Sequence, residues 1–69
     1  MGNINITING EKKDVPENST VQELVDSMKI KNKMFVVEKN LKIVNKEDYS
    51  VCKLEAGDSL EIIGFFGGG

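Results

Sequence analysis

The chain has no histidine and no tryptophan, and all nine of its basic residues are lysines, so arginine is missing as well. Without histidine there is no general base of the commonest kind and no ligand of the commonest kind for a transition metal. Without arginine there is no bidentate fork of the sort that grips phosphate or guanine. These omissions argue against an enzyme of this size and against nucleic-acid recognition. No catalytic residue and no metal ligand is assigned. There is a single cysteine, Cys52, so no internal disulfide can form and nothing implies an oxidising compartment. No apolar run approaches membrane-spanning length, and the N-terminus lacks a basic-then-apolar leader pattern. The expected location is the cytoplasm, with no membrane partner.

What is present describes a small folded domain. Sixty-nine residues, 39% hydrophobic and 29% charged, with a net charge of −2, allow one domain with a small core. Residues 3–9 alternate strictly, with Ile4, Ile6 and Ile8 on one side. That is the period of a half-buried strand. Asn9-Gly10 is the preferred pair for a tight hairpin turn. The polar stretch 11–15 returns as a second strand whose charge suits a sheet edge, and Pro16 ends it. Thr20 with Glu23 fits a capping box, with Ser19 and Gln22 as the register one residue earlier. Val21, Leu24, Val25 and Met28 form one apolar helical face, predicting a helix over 21–29. Glu23 and Asp26 near its start and Lys29 and Lys31 near its end complement its dipole.

The second half is more strand-like. Met34 to Val37 is a continuous apolar run, read as a central strand covered on both faces. Glu38-Lys39-Asn40 reads as a turn, and Leu41 to Ile43 as a short strand. Residues 44–50 are loop-like, with Tyr49 folding back onto the core. Val51 to Leu54 fits either a brief strand or one turn of helix. Ala56-Gly57-Asp58 is a turn, and Ser59 to Phe66 is the last strand. The order β-β-α-β-β-β predicts an α+β fold: one main helix packed across a mixed four- to five-stranded sheet.

The last strand leads to Gly67-Gly68-Gly69. Three successive glycines do not suit a strand or helix interior. They make a thread without Cβ atoms, expected to be mobile, able to enter a narrow channel and to reach roughly 20 Å from Gly64 to Gly69 when extended. The expected division is a domain over 1–66 and a flexible tail over 67–69. Leu60 and Ile62 share one face of the strand. Alternation sends Ile63 and Phe65 to the other, where with Phe66 they form a candidate docking patch beside the tail. The alternatives are that a loop covers this face or that the strand stops before Phe65. Cys52 reads as a packed cysteine and Glu47-Asp48 as solvated surface. The glycine run is not a phosphate loop, because no helix follows it.

Several segments in this order carry a resemblance: Thr-Val-Gln-Glu-Leu at 20–24, Val-Val-Glu-Lys-Asn at 36–40, Ile-Val-Asn-Lys-Glu at 43–47, Leu-Glu-Ala-Gly-Asp-Ser-Leu-Glu-Ile at 54–62, and the glycine run. The chain resembles the ThiS family of sulfur carriers, which has a ubiquitin-like β-grasp fold. It departs from the family at Asn45, where proline is frequent, and in a third tail glycine. The resemblance implies a protein co-substrate of thiamin biosynthesis, not an enzyme. A ThiF-type enzyme using ATP and magnesium would adenylate Gly69, and sulfur, relayed through a cysteine desulfurase, would convert it to a thiocarboxylate. A ThiG-type thiazole synthase would receive that sulfur. No cofactor is bound by the carrier itself. The related small subunit of molybdopterin synthase, MoaD, and a ubiquitin-like protein modifier are the alternatives.

Overall fold

A computed structural model of the protein describes residues 2–30 and 34–64. Its elements are β1 (Asn3–Ile8), β2 (Glu11–Pro16), α1 (Val21–Met28), β3 (Phe35–Lys39), β4 (Lys42–Val44), a 3-10 turn at Lys46–Asp48, and β5 (Ser59–Gly64). The five strands form one sheet in the order β2-β1-β5-β3-β4. β1 and β5 run parallel, and every other neighbouring pair is antiparallel.

The first hairpin follows from its turn. Asn9 and Gly10 both have positive φ, 50° and 86°, as a two-residue turn matched to strand twist requires. Register then pairs Ile8 with Glu11 and Ile4 with Val15. Ile6, Ile8 and Val15 are buried, and charged β2 lies at the sheet edge as expected.

α1 starts where the capping box sets it. The Thr20 hydroxyl accepts from the Glu23 N–H at 3.1 Å, and the Glu23 carboxylate accepts from the Thr20 N–H at 2.9 Å. The next two N–H groups, which have no partner inside a helix, donate to loop carbonyls: Val21 to Cys52 and Gln22 to Tyr49, both at 2.9 Å. Val21, Leu24 and Val25 are buried in one cluster with Ile6, Ile8, Val37, Tyr49, Leu54, Leu60 and Ile62. The helix ends one residue before the expected limit. Lys29 is its left-handed C-cap, so it follows the last turn instead of sitting within it, and Lys31 lies outside the described residues.

Three expectations change. Met34 to Val37 is not covered on both faces: Val37 is fully buried, but Val36 is 42% and Met34 70% exposed. β5, not β3, is the central strand, and the helix covers only one side of the sheet. The turn after β3 is also displaced. Glu38 and Lys39 remain in the strand, and Asn40 and Leu41 make the turn, with φ of 53° and 70°. Asn40 holds it by accepting from the Ser59 N–H at 3.0 Å and donating to Asp58 Oδ1 at 3.0 Å. Leu41, expected in a strand, is thus at the turn and 90% exposed. Residues 51–54 are neither strand nor helical turn. Val51 and Cys52 donate back to the Asp48 carbonyl, and Lys53 makes one isolated bridge to Thr20. Tyr49 is buried against the core as expected, its ring stacked on Phe35 with centroids 6.4 Å apart. No helix among the described residues is long and apolar enough to cross a membrane.

Candidate functional site

The site is built on β5, because this strand leads into the glycine run. Leu60 and Ile62 anchor it, both buried beneath α1. On one flank β3 pairs with it along its length, from Lys39 opposite Leu60 to Phe35 opposite Gly64. On the other flank β1 pairs only with Ser59 and Leu60 before turning away. There the Asn9 side chain continues the ladder, its Oδ1 accepting from the Ile62 N–H at 2.9 Å.

At Gly64 the two chains come unusually close. A Cβ on this residue would stand 2.8 Å from the Phe35 Cβ and 2.9 Å from the Met34 carbonyl oxygen. Neither is the end of a flexible side chain, so β3 and β5 stay paired here only because residue 64 is glycine.

The outward face of these strands carries the apolar surface. Ile63 is 51% exposed and directly opposite Val36. Met34 adjoins this pair, and a depression of about 390 Å³ is lined by Met34, Phe35, Val36, Ile63 and Gly64. Ile43 on β4 is 66% exposed and sits opposite Glu38. Ile63 is therefore where alternation placed it, on an uncovered face. Phe65, Phe66, Gly67, Gly68 and Gly69 lie outside the described residues, as does the expected domain limit at residue 66. Sequence reasoning missed Met34 and Val36 as members of this face. An unbroken apolar run hides the two-residue period that would have separated them from Phe35 and Val37. Cys52 packs against the core, as expected.

The ThiS family model matches residues 4–69. The chain belongs to the ThiS family. Among curated proteins, ThiS similarity is 41% identity over 58 residues to the sulfur carrier protein ThiS of Bacillus subtilis, covering 84% of this chain and 83% of that one. A thiazole synthase of Paramagnetospirillum magneticum is 38% identical over 64 residues, 93% of this chain but only 20% of that protein. The chain thus spans about a fifth of the length of that relative. Among solved structures, the crystal structure of the thiamine biosynthesis protein ThiS from Geobacter metallireducens superposes with a TM-score of 0.81 at 30% identity, covering 96% of this chain and all of that one. The solution structure of a thiamine biosynthesis protein from the same organism gives 0.76. The sheet of five strands with one helix is the β-grasp architecture of these ThiS structures.

Proposed function

We propose that the chain is the sulfur carrier of thiazole formation in thiamine biosynthesis, with sulfur held at the Gly69 carboxylate. The observation that carries this reading is the family match, which runs through the glycine run to Gly69. The fold fits the role: a strand held on both flanks leads, through Phe65 and Phe66, into three residues that have no side chains. A carboxylate is a poor electrophile. Adenylation by a ThiF-type enzyme, using ATP and magnesium, supplies AMP as a leaving group. A sulfur nucleophile relayed from a cysteine desulfurase persulfide then displaces AMP, and reduction of the remaining S–S bond by a thiol leaves a thiocarboxylate. Sulfur passes to the substrate of a ThiG-type thiazole synthase, and the carrier returns as carboxylate. The catalytic groups belong to these partners, and the carrier works as a co-substrate. The relative that is itself a thiazole synthase supports that partner class.

Ile63, with Phe65 and Phe66, forms the docking surface in this reading, and Gly67 and Gly68 let Gly69 enter two different active sites. Incubation with the adenylating enzyme, ATP, magnesium and a sulfur source is expected to change the intact mass by one oxygen-to-sulfur exchange. An unchanged mass, or adducts linked to lysine side chains, overturns the proposal. One residue appended after Gly69 is expected to abolish the exchange.

A further inference from the structure

The sequence holds seven asparagines, and only Asn9 is followed by glycine. That pair is open to a particular reaction. The backbone nitrogen after an asparagine can attack the side-chain amide carbon, and a Cβ on the following residue crowds the attack. Glycine has none. Asn9 and Gly10 are both exposed, and a Cβ on Gly10 would meet nothing within 4 Å, so water and base have access to the turn. One thing opposes the reaction. Asn9 Oδ1 accepts from the Ile62 N–H, and the Asn9 N–H donates to the Leu60 carbonyl, both at 2.9 Å. The amide that must turn onto the Gly10 nitrogen is therefore engaged with β5. Asn18 and Asn40 share the left-handed backbone of Asn9, with φ of 67° and 53°, but they precede Ser19 and Leu41.

We propose that Asn9 is a deamidation site controlled by β5: the seated strand holds the amide away from Gly10, and the displaced strand releases it. In the reaction, base takes the proton of the Gly10 N–H and the nitrogen attacks Asn9 Cγ. Ammonia leaves with a proton as the cyclic imide closes. Water then opens the ring at either carbonyl. Opening at the former side-chain carbonyl gives aspartate. Opening at the backbone carbonyl gives isoaspartate, with the chain rerouted through the old side chain. One water is consumed and one ammonia released, with no change in oxidation state. Aspartate keeps an acceptor for the Ile62 N–H. Isoaspartate lengthens the backbone by a methylene inside a turn that needs positive φ at two successive residues, and its carboxylate sits one carbon closer to the chain. Neither the turn nor the hold on Ile62 then re-forms. The change is one-way, and it falls on the flank of the strand that leads into the glycine run.

The test uses the full chain, incubated in mildly alkaline buffer without urea, in a series of sub-denaturing urea concentrations, and in denaturing urea. Peptide mapping locates the mass gain of amide-to-acid conversion, and methylation by a protein isoaspartyl methyltransferase measures the isoaspartate. Hydrogen exchange at the Ile62 amide is followed in parallel. Conversion is expected at Asn9 ahead of every other asparagine. It is expected to run at least about tenfold faster in denaturing urea than in the folded chain, and to rise with sub-denaturing urea in step with Ile62 exchange. The isoaspartate form, separated by its added charge, is expected to exchange the Ile62 amide faster than the Asn9→Asp chain does. Equal rates in folded and denatured chains, conversion first at another asparagine, or a rate that does not follow Ile62 exchange overturns the proposal. An isoaspartate form that protects Ile62 as well as Asn9→Asp overturns the consequence drawn for β5. None of these readouts uses sulfur loading, so the carrier reading stands or falls separately.

Discussion

The side-chain oxygen of Asn9 accepts a hydrogen bond from the backbone N–H of Ile62 at 2.9 Å, across 53 positions of sequence. β1 has already turned away at this point, so a side chain takes the place of a missing strand. The same residue donates its own N–H to the Leu60 carbonyl at 2.9 Å. Its left-handed backbone both closes the hairpin and aims the amide at β5.

Asn9→Gly removes the side-chain acceptor without straining that backbone. A part-buried N–H left without a partner costs about 1–2 kcal/mol. We expect stability in urea to fall by this amount and the Ile62 amide to exchange faster with solvent. Asn9→Asp keeps an acceptor oxygen and is expected to recover most of the loss.

Gly64→Ala places a methyl group within 3 Å of two atoms that are not side-chain ends. Overpacking of this kind costs about 1–3 kcal/mol. The last rung between β3 and β5 is expected to open, seen as faster exchange at Phe35 and Val36. Sulfur loading is expected to slow by more than the lost stability explains, because the origin of the tail moves.

Ile63→Ser alters a half-exposed side chain. Stability is expected to change by no more than about 0.5 kcal/mol. KM for the adenylating enzyme is expected to rise severalfold. A chain as stable as wild type and loaded with unaltered KM would remove Ile63 from the docking surface.

Burial holds the Tyr49 phenol above its ordinary value of 10.0, because desolvation disfavours the phenolate. Below pH ~10 the phenol is protonated whether the chain is folded or not, and the shift contributes nothing. Above it the unfolded chain ionises first, so stability falls as pH rises. Urea unfolding between about pH 8 and 11 is expected to show this loss. Tyr49→Phe should lack it.

Local features of the sequence were legible because their physics is local. Alternation at Ile4, Ile6 and Ile8, positive φ at Asn9-Gly10, and the Thr20–Glu23 capping box each need only a few neighbours. The β3–β4 turn was displaced because its cause is remote. Asn40 is held by Ser59 and Asp58, some twenty positions on, and this carries Leu41 into a turn against its preference for strands. Met34 and Val36 were misread because a strand buried on both faces and a strand with one exposed apolar face spell the same apolar run. At the site itself, exposure of Ile63 followed from alternation. The pairing of Glu38 with Glu61 and the closeness of Gly64 to Phe35 depend on register between strands, which a single chain does not spell out.

Strand order has a consequence for biosynthesis. β5 is the last of the five to leave the ribosome, yet it belongs in the middle of the sheet. Before it arrives there are two hairpins, β1–β2 and β3–β4, with nothing between them, and an isolated hairpin is marginally stable at best. Val36 acquires Ile63 as its neighbour only when that final segment slots in. A chain that ends before β5 therefore lacks the Val36–Ile63 pair of the outward face and leaves its two hairpins unjoined.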